Sequence, residues 1–186
     1  MNTTQQDTRN WKIWPSAVPL TAVQVLVVDL QGRVLMLHRS DKVRSAKNVW
    51  SFPSGLHDIG ETLEECAKRE LIEEFGLDIK QVSMIGLYEN IDGDKSTEDR
   101  FHWVLAVQTA FVPDLDVFVN HEPDKHDLVA LVDIKDFATP DFFRVYNFHQ
   151  SFVSWATRHS SDLQSKLRGV QFRGVQAQKH AEQSNA

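Results

Sequence analysis

Three glutamates, Glu70, Glu73 and Glu74, follow Arg69 within six residues of this chain. Carboxylates clustered in this way are suited to a divalent cation. A hard ion such as Mg²⁺ takes several carboxylate oxygens and keeps positions open for phosphate oxygens and water. Without a cation the arrangement is unfavourable. Glu70 and Glu74 are a like-charge pair at i,i+4, and partial burial raises the cost of holding both ionised. Arg69 lies four residues from Glu65 and from Glu73 and is expected to pair with them, yet it cannot neutralise all three acids. A solvated acidic helix face is the ordinary alternative for such a pattern, and the flanking residues decide between the two.

The element that must position these acids is a short helix. Thr62 and Glu65 have the spacing of a capping box, which starts the helix at Leu63. Gly76 is the expected left-handed stop after Phe75. Leu63, Ala67, Leu71 and Phe75 recur every four residues and predict a core-facing row. The adjacent row reads Cys66, Glu70, Glu74, with Glu73 beside it, so the acids border the buried stripe.

Read outward, the pattern is Gly55, five residues, Glu61, seven residues, then Arg69-Glu70-Leu71-Ile72-Glu73-Glu74-Phe75-Gly76-Leu77. It resembles the Nudix box at every fixed position, and a chance match is on the order of 10⁻⁸ per start position. The surrounding pattern is similar to the family from about Pro19 to Phe137. The resemblance implies an α/β fold, an α/β/α sandwich around a mixed sheet. It also implies an enzyme that uses Mg²⁺ or Mn²⁺ to hydrolyse a phosphoanhydride in a nucleoside diphosphate linked to another group.

By the same resemblance Glu70, Glu73 and Glu74 are metal ligands, with Glu73 and Glu74 closest to the catalytic metal. Arg69 orients the carboxylates, and the Ser54 carbonyl, where the family usually has glycine, also reaches a metal. Arg39, Gly55, Glu61 and Asp124 make up the expected substrate-binding set, Glu61 as an outer participant. Glu122 is the candidate general base, with Asp124 beside it and His126 behind. Asn120 to Leu131, NHEPDKHDLVAL, resembles the Glu-Pro-Glu-Lys loop of MutT-type nucleoside triphosphate pyrophosphatases, departing at Asp124 and at Leu-Val-Ala, where a Trp is common. The leading reading is therefore a triphosphate cleaved to a monophosphate and pyrophosphate. Hydrolysis of a GDP-sugar or other nucleotide sugar, and non-catalytic nucleotide binding, are the alternatives. The intact acids argue against the second of these. Marks of ADP-ribose and dinucleoside-polyphosphate branches, a proline and a tyrosine past the box, are missing from Asn90 to Lys95.

Length and composition set the frame. A chain of 186 residues with 41% hydrophobic content fits one domain with extensions. The expected division is a flexible stretch over 1–10, the domain over 11–167 and a disordered tail over 168–186. A net charge of −6 and a pI near 5.7 disfavour a nucleic-acid polymer as partner, including RNA ends. The single cysteine, Cys66, excludes an internal disulfide framework. The polar start lacks the apolar core of a signal peptide and no run has the length of a membrane span, so a cytoplasmic protein is expected. A homodimer is a further expectation from the family.

Strands are expected over Thr21–Leu30, Val34–His38, Val82–Asn90, Phe101–Phe111 and Leu128–Ile134, with a short one in Asn48–Ser54. Lys42, Arg44 and Lys47 form a basic loop after Arg39. Trp11, Ile13 and Trp14 make an apolar patch, Asp92 to Asp99 a hydrophilic hairpin loop, and Phe142 to Trp155 an aromatic helix that packs on the core.

Overall fold

The run densest in β-branched residues becomes the central strand. In the computed structural model, which describes residues 18–92 and 101–184, β1 (Leu20–Val28) runs parallel to β6 (Phe101–Phe111). β6 pairs antiparallel with β5 (Val82–Asp92). On its other side β1 meets β2 (Arg33–Arg39) at Val28–Val34 and then parts from it, pairing instead with β4 (Ser54–Leu56). β2 also pairs with β3 (Trp50–Ser51) and with β7 (His126–Asp133). The result is the expected mixed sheet.

β1 is buried on both faces, which explains its nearly continuous apolar run. Val23, Val25 and Val27 pack with Leu35 and Leu37 under helix α1 (Leu63–Phe75). Leu26, Val28, Val34 and Met36 face the opposite layer, built from α2 (Pro140–Val145), α3 (Gln150–Arg158) and α4 (Ser160–Ser184). Helices therefore cover both faces of the sheet, and the α/β/α sandwich is observed.

Two expectations are corrected. Phe142 to Trp155 is not one helix. The chain leaves α2 at Tyr146, where φ is −108° and ψ 117°, and the Trp50 amide donates to the Asn147 carbonyl at 2.7 Å. Phe148 forms an isolated bridge with Trp50 before α3 begins. Phe148 is still buried against Phe52, Phe142 and Phe152, so the aromatic spacing reported burial correctly and conformation wrongly.

The C-terminal stretch also differs from expectation. Residues 168–184 are not a disordered tail but continue α4. Leu163, Leu167, Val170 and Gly174 form its buried stripe. A Cβ on Gly174 would lie 2.3 Å from the Phe111 ring, so only glycine admits this contact with β6. The Gln171 side-chain amide donates to the Leu30 carbonyl. The apolar patch at Trp11–Trp14, the flexible stretch over 1–10 and most of the hairpin loop over 92–99 lie outside the described residues. Among the described residues, no helix is long and apolar enough to cross a membrane.

Candidate active site

Helix α1 starts and stops where its residues dictate. The Thr62 hydroxyl accepts from the Glu65 amide, and the Glu65 carboxylate accepts from the Thr62 amide at 2.7 Å. Gly76 has φ 65°, and Leu77 donates to the Leu71 carbonyl to close the C-terminal cap. Glu65 is thus committed to the cap and is not a partner of Arg69, contrary to the spacing argument.

Arg69 is instead held by a more distant acid. Its Nε and Nη2 donate to the two oxygens of Glu61 at 3.0 and 2.7 Å, a bidentate fork. Nη1 donates to Glu70 at 2.6 Å and to Glu73 at 3.3 Å, and Nη2 also reaches the Leu56 carbonyl. The Arg69 guanidinium holds the Glu61 carboxyl down at about 2. Glu61 does not line the cavity described below. Its observed role is to fix Arg69, which in turn fixes Glu70.

Glu70 and Glu74 are 7% and 5% exposed, whereas Glu73 is open to solvent. Burial raises the Glu70 carboxyl despite Arg69. Burial, reinforced by the charges of Glu70 and Glu122, pushes Glu74 up to about 9. Gly55 makes the buried position of Glu70 possible. A Cβ there would fall 1.8 Å from the Glu70 carboxyl carbon. The need is for space rather than for positive φ, and neither Gly55 nor Ser54 has a positive φ.

The loop before β7 reaches the site by capping the C-terminal end of α1. Val119 and His121 donate backbone amides to the carbonyls of Phe75 and Glu74, groups a helix end leaves unpaired. Asn120 staples the loop from within: its oxygen accepts from the Glu122 amide and its nitrogen donates to the His126 carbonyl. Ser40 donates its hydroxyl to the Asp124 carbonyl. Ligand atoms of Glu74, Glu122 and His126 consequently lie within 4.8 Å of one another. Glu122 keeps one oxygen on Lys125 at 2.7 Å, while its other oxygen is buried with no partner among the described residues. Glu74 Oε2 and His126 Nδ1 are in the same state. Burial, with Arg39 nearby, lowers the His126 imidazole to about 4. Buried acceptors left unpaired in one small volume are the pattern a divalent cation satisfies. The carboxylate oxygens of this set therefore fit the Mg²⁺ or Mn²⁺ implied by the box.

These acids share the wall of a cavity of about 480 Å³. Ser54, Gly55, Glu70, Glu73, Glu74 and Glu122 line it. Trp50, Tyr88, Trp103, Phe148 and Phe152 also contribute to its wall, as do Gln24 and Asn90. The Tyr88 hydroxyl donates to the Gln24 carboxamide at 3.0 Å, and Asn90 Oδ1 is buried without a partner among the described residues.

Arg39 lines the cavity, but its guanidinium donates to the carbonyls of Ser45 and Ala46 and so shapes the basic loop. Burial lowers its pKa. Asp124 is not in the cavity wall. It is exposed and ion-paired with Lys42. His126, named in the sequence only as lying behind Glu122, lines the cavity, as do Gln24 and Asn90, while Asn120 braces the loop; none of these last three stood out in the sequence. The interval from Glu122 to His126 was the available signal, because one α-type turn, His126 amide to Glu122 carbonyl at 3.0 Å, returns the histidine to the glutamate's side.

Known proteins place this geometry in a family. The NUDIX domain profile matches residues 18–156. Among curated relatives, the m7GpppN-mRNA hydrolase NUDT17 of Xenopus laevis is 43% identical over 70 residues, 37% of this chain and 24% of that protein. An ADP-ribose pyrophosphatase of Methanocaldococcus jannaschii is 34% identical over 68 residues, 37% of this chain and 39% of that protein. The chain therefore spans between a quarter and two fifths of the length of these two relatives. A MutT protein from Methanosarcina mazei Go1 superposes with a TM-score of 0.62 at 18% identity, covering 78% of this chain and 96% of that structure. A MutT NUDIX hydrolase from Burkholderia pseudomallei gives 0.55 at 25% identity, covering 66% and 89%. With the box intact from Gly55 to Leu77 and the profile spanning most of the sequence, the chain belongs to the NUDIX domain family.

Proposed function

We propose that this protein is a divalent-metal-dependent hydrolase of a phosphoanhydride in a nucleoside diphosphate derivative. A nucleoside triphosphate cleaved to monophosphate and pyrophosphate is the leading substrate. The observation behind this reading is that buried carboxylates and an aromatic wall share one cavity of about 480 Å³. The acids suit the phosphate end and the rings suit a base.

Glu70, Glu73 and Glu74, with the Ser54 carbonyl, would hold the Mg²⁺ or Mn²⁺. When bound, such an ion offsets phosphate charge and makes a bound water more acidic. Arg69 keeps Glu70 and Glu73 oriented through its fork on Glu61. Glu122 would accept the proton of the attacking water in this reading; Lys125 restrains one of its oxygens, and the other is the one available for it, provided that oxygen is not taken by a metal ion. Trp50, half-buried in the wall, would offer a face for stacking, and Asn90, whose side-chain oxygen is unpartnered among the described residues, would offer a polar edge to a base.

Names of relatives widen the substrate panel. It should include m7GpppN-capped mRNA and ADP-ribose, together with nucleotide sugars as the sequence alternative, beside the free triphosphates. With Mg²⁺ present, release of pyrophosphate from a free triphosphate as the preferred reaction would support the proposal. Exclusive cleavage of a nucleotide sugar or of RNA ends would replace the leading substrate. No turnover of any panel member would refute the hydrolase reading.

A further inference from the structure

His126 is an imidazole in a place where a purely structural histidine would be satisfied. It is 3% exposed, and its Nδ1 has no partner among the described residues. Buried ring nitrogens are normally hydrogen-bonded. The ring packs near Phe75, at 5.9 Å between centroids, and the loop is stapled through the His126 backbone carbonyl rather than through its side chain. One of its ring nitrogens shares a 4.8 Å cluster with oxygens of Glu74 and Glu122. The cations near this cluster do not fill it. Lys125 occupies one Glu122 oxygen, and the Arg39 guanidinium is spent on Ser45 and Ala46.

We propose that Glu74, Glu122 and His126 form a mixed oxygen and nitrogen site for a first-row divalent transition-metal ion, one that favours Mn²⁺ or Co²⁺ over Mg²⁺. The proposal rests on the reading of Glu74 as a metal ligand, adds a nitrogen donor to it, and gives the unpartnered Glu122 oxygen to the ion in place of the role of base. Two carboxylates and an imidazole are a softer set than carboxylates alone. A nitrogen donor favours first-row transition ions, Co²⁺ more than Mn²⁺, over Mg²⁺, which prefers oxygen and retains its waters. Asn120 and Ser40, which fix the loop, are the positioning residues for this donor.

Mn²⁺ bound to the metal-stripped full chain provides the test, read by the nitrogen modulation of its electron spin-echo envelope. The expected result is a nitrogen signal that changes when only histidine carries the heavy nitrogen isotope and that vanishes in His126→Gln. In parallel, His126→Gln should lower Co²⁺ affinity at least ~10-fold while Mg²⁺ affinity moves less than ~3-fold. The isotope experiment uses the native protein, so a variant that fails to fold leaves the test intact. Mn²⁺ bound without any histidine nitrogen would overturn this inference and leave the carboxylate site standing. Failure of Mn²⁺ and Mg²⁺ alike to bind the native chain would overturn both.

Discussion

Gly55→Ala isolates one contact on which the site depends. A methyl group at residue 55 would sit 1.8 Å from the Glu70 carboxyl carbon and 1.9 Å from its Oε1. The backbone of β4 is paired to β1 and cannot retreat easily, so the Glu70 side chain must swing away. That breaks the 2.6 Å hydrogen bond from Arg69, a charged bond whose loss costs ~1.5–3 kcal/mol. A displaced rotamer adds ~0.5–1.5 kcal/mol. Releasing a carboxylate from a buried position returns part of this, so we expect a net loss of about 2–3 kcal/mol. For a chain of this size that is a drop in Tm of roughly 5–10 °C. The same displacement removes a metal ligand, so the rise in Tm on adding Mg²⁺ or Mn²⁺ should shrink. Thermal melting with and without the ion checks both. Gly60→Ala is the control: its φ of 97° makes alanine strained, yet nothing lies within 4 Å of the new Cβ, so stability should fall while the metal response survives. A Gly55→Ala protein with the native Tm and native metal response would refute the packing argument.

Glu74→Gln should keep the fold and lower turnover at least ~100-fold; native turnover in saturating Mg²⁺ would remove Glu74 from the metal set. Without metal, the folded chain binds the Glu74 proton more tightly than the unfolded chain between 4.5 and about 9. Stability in EDTA should therefore decline as pH rises through that window, and a saturating ion should flatten the decline; melting curves at several pH values decide. Glu61 has the opposite sign. Its contribution is complete above 4.5 and is lost as pH falls toward about 2, so the Tm gap between native protein and Glu61→Gln should close on acidification. Gly174→Val should drive a side chain into Phe111 and cost ~1–3 kcal/mol, measured by denaturant unfolding; no change would mean that the end of α4 does not dock.

What could be read from the sequence were the features that depend on neighbours a few residues apart. The limits of α1, its cap at Thr62 and Glu65, its stop at Gly76 and the burial of Ala67, Leu71 and Phe75 are local consequences of helical periodicity and backbone chemistry; the depth to which Glu70 and Glu74 are buried was not legible. The strand over Phe101–Phe111 was legible in its composition for the same reason. The family followed from the fixed spacing of the box. Other features needed the tertiary structure because they join residues far apart in the chain. The carboxylate that clamps Arg69 is Glu61 across the loop, not Glu65 on the helix, because the capping box has already taken Glu65. The stop between α2 and α3 is set by backbone pairing with Trp50, some hundred residues earlier. The helical end of the chain is held by a glycine against Phe111, a contact that hydropathy does not register. The gathering of Glu122 and His126 at Glu74 exists because α1 leaves carbonyls unpaired at its end and a loop nearly fifty residues later supplies the amides. Local spacing determined which residues had the chemistry, and long-range pairing of backbone groups decided which of them meet.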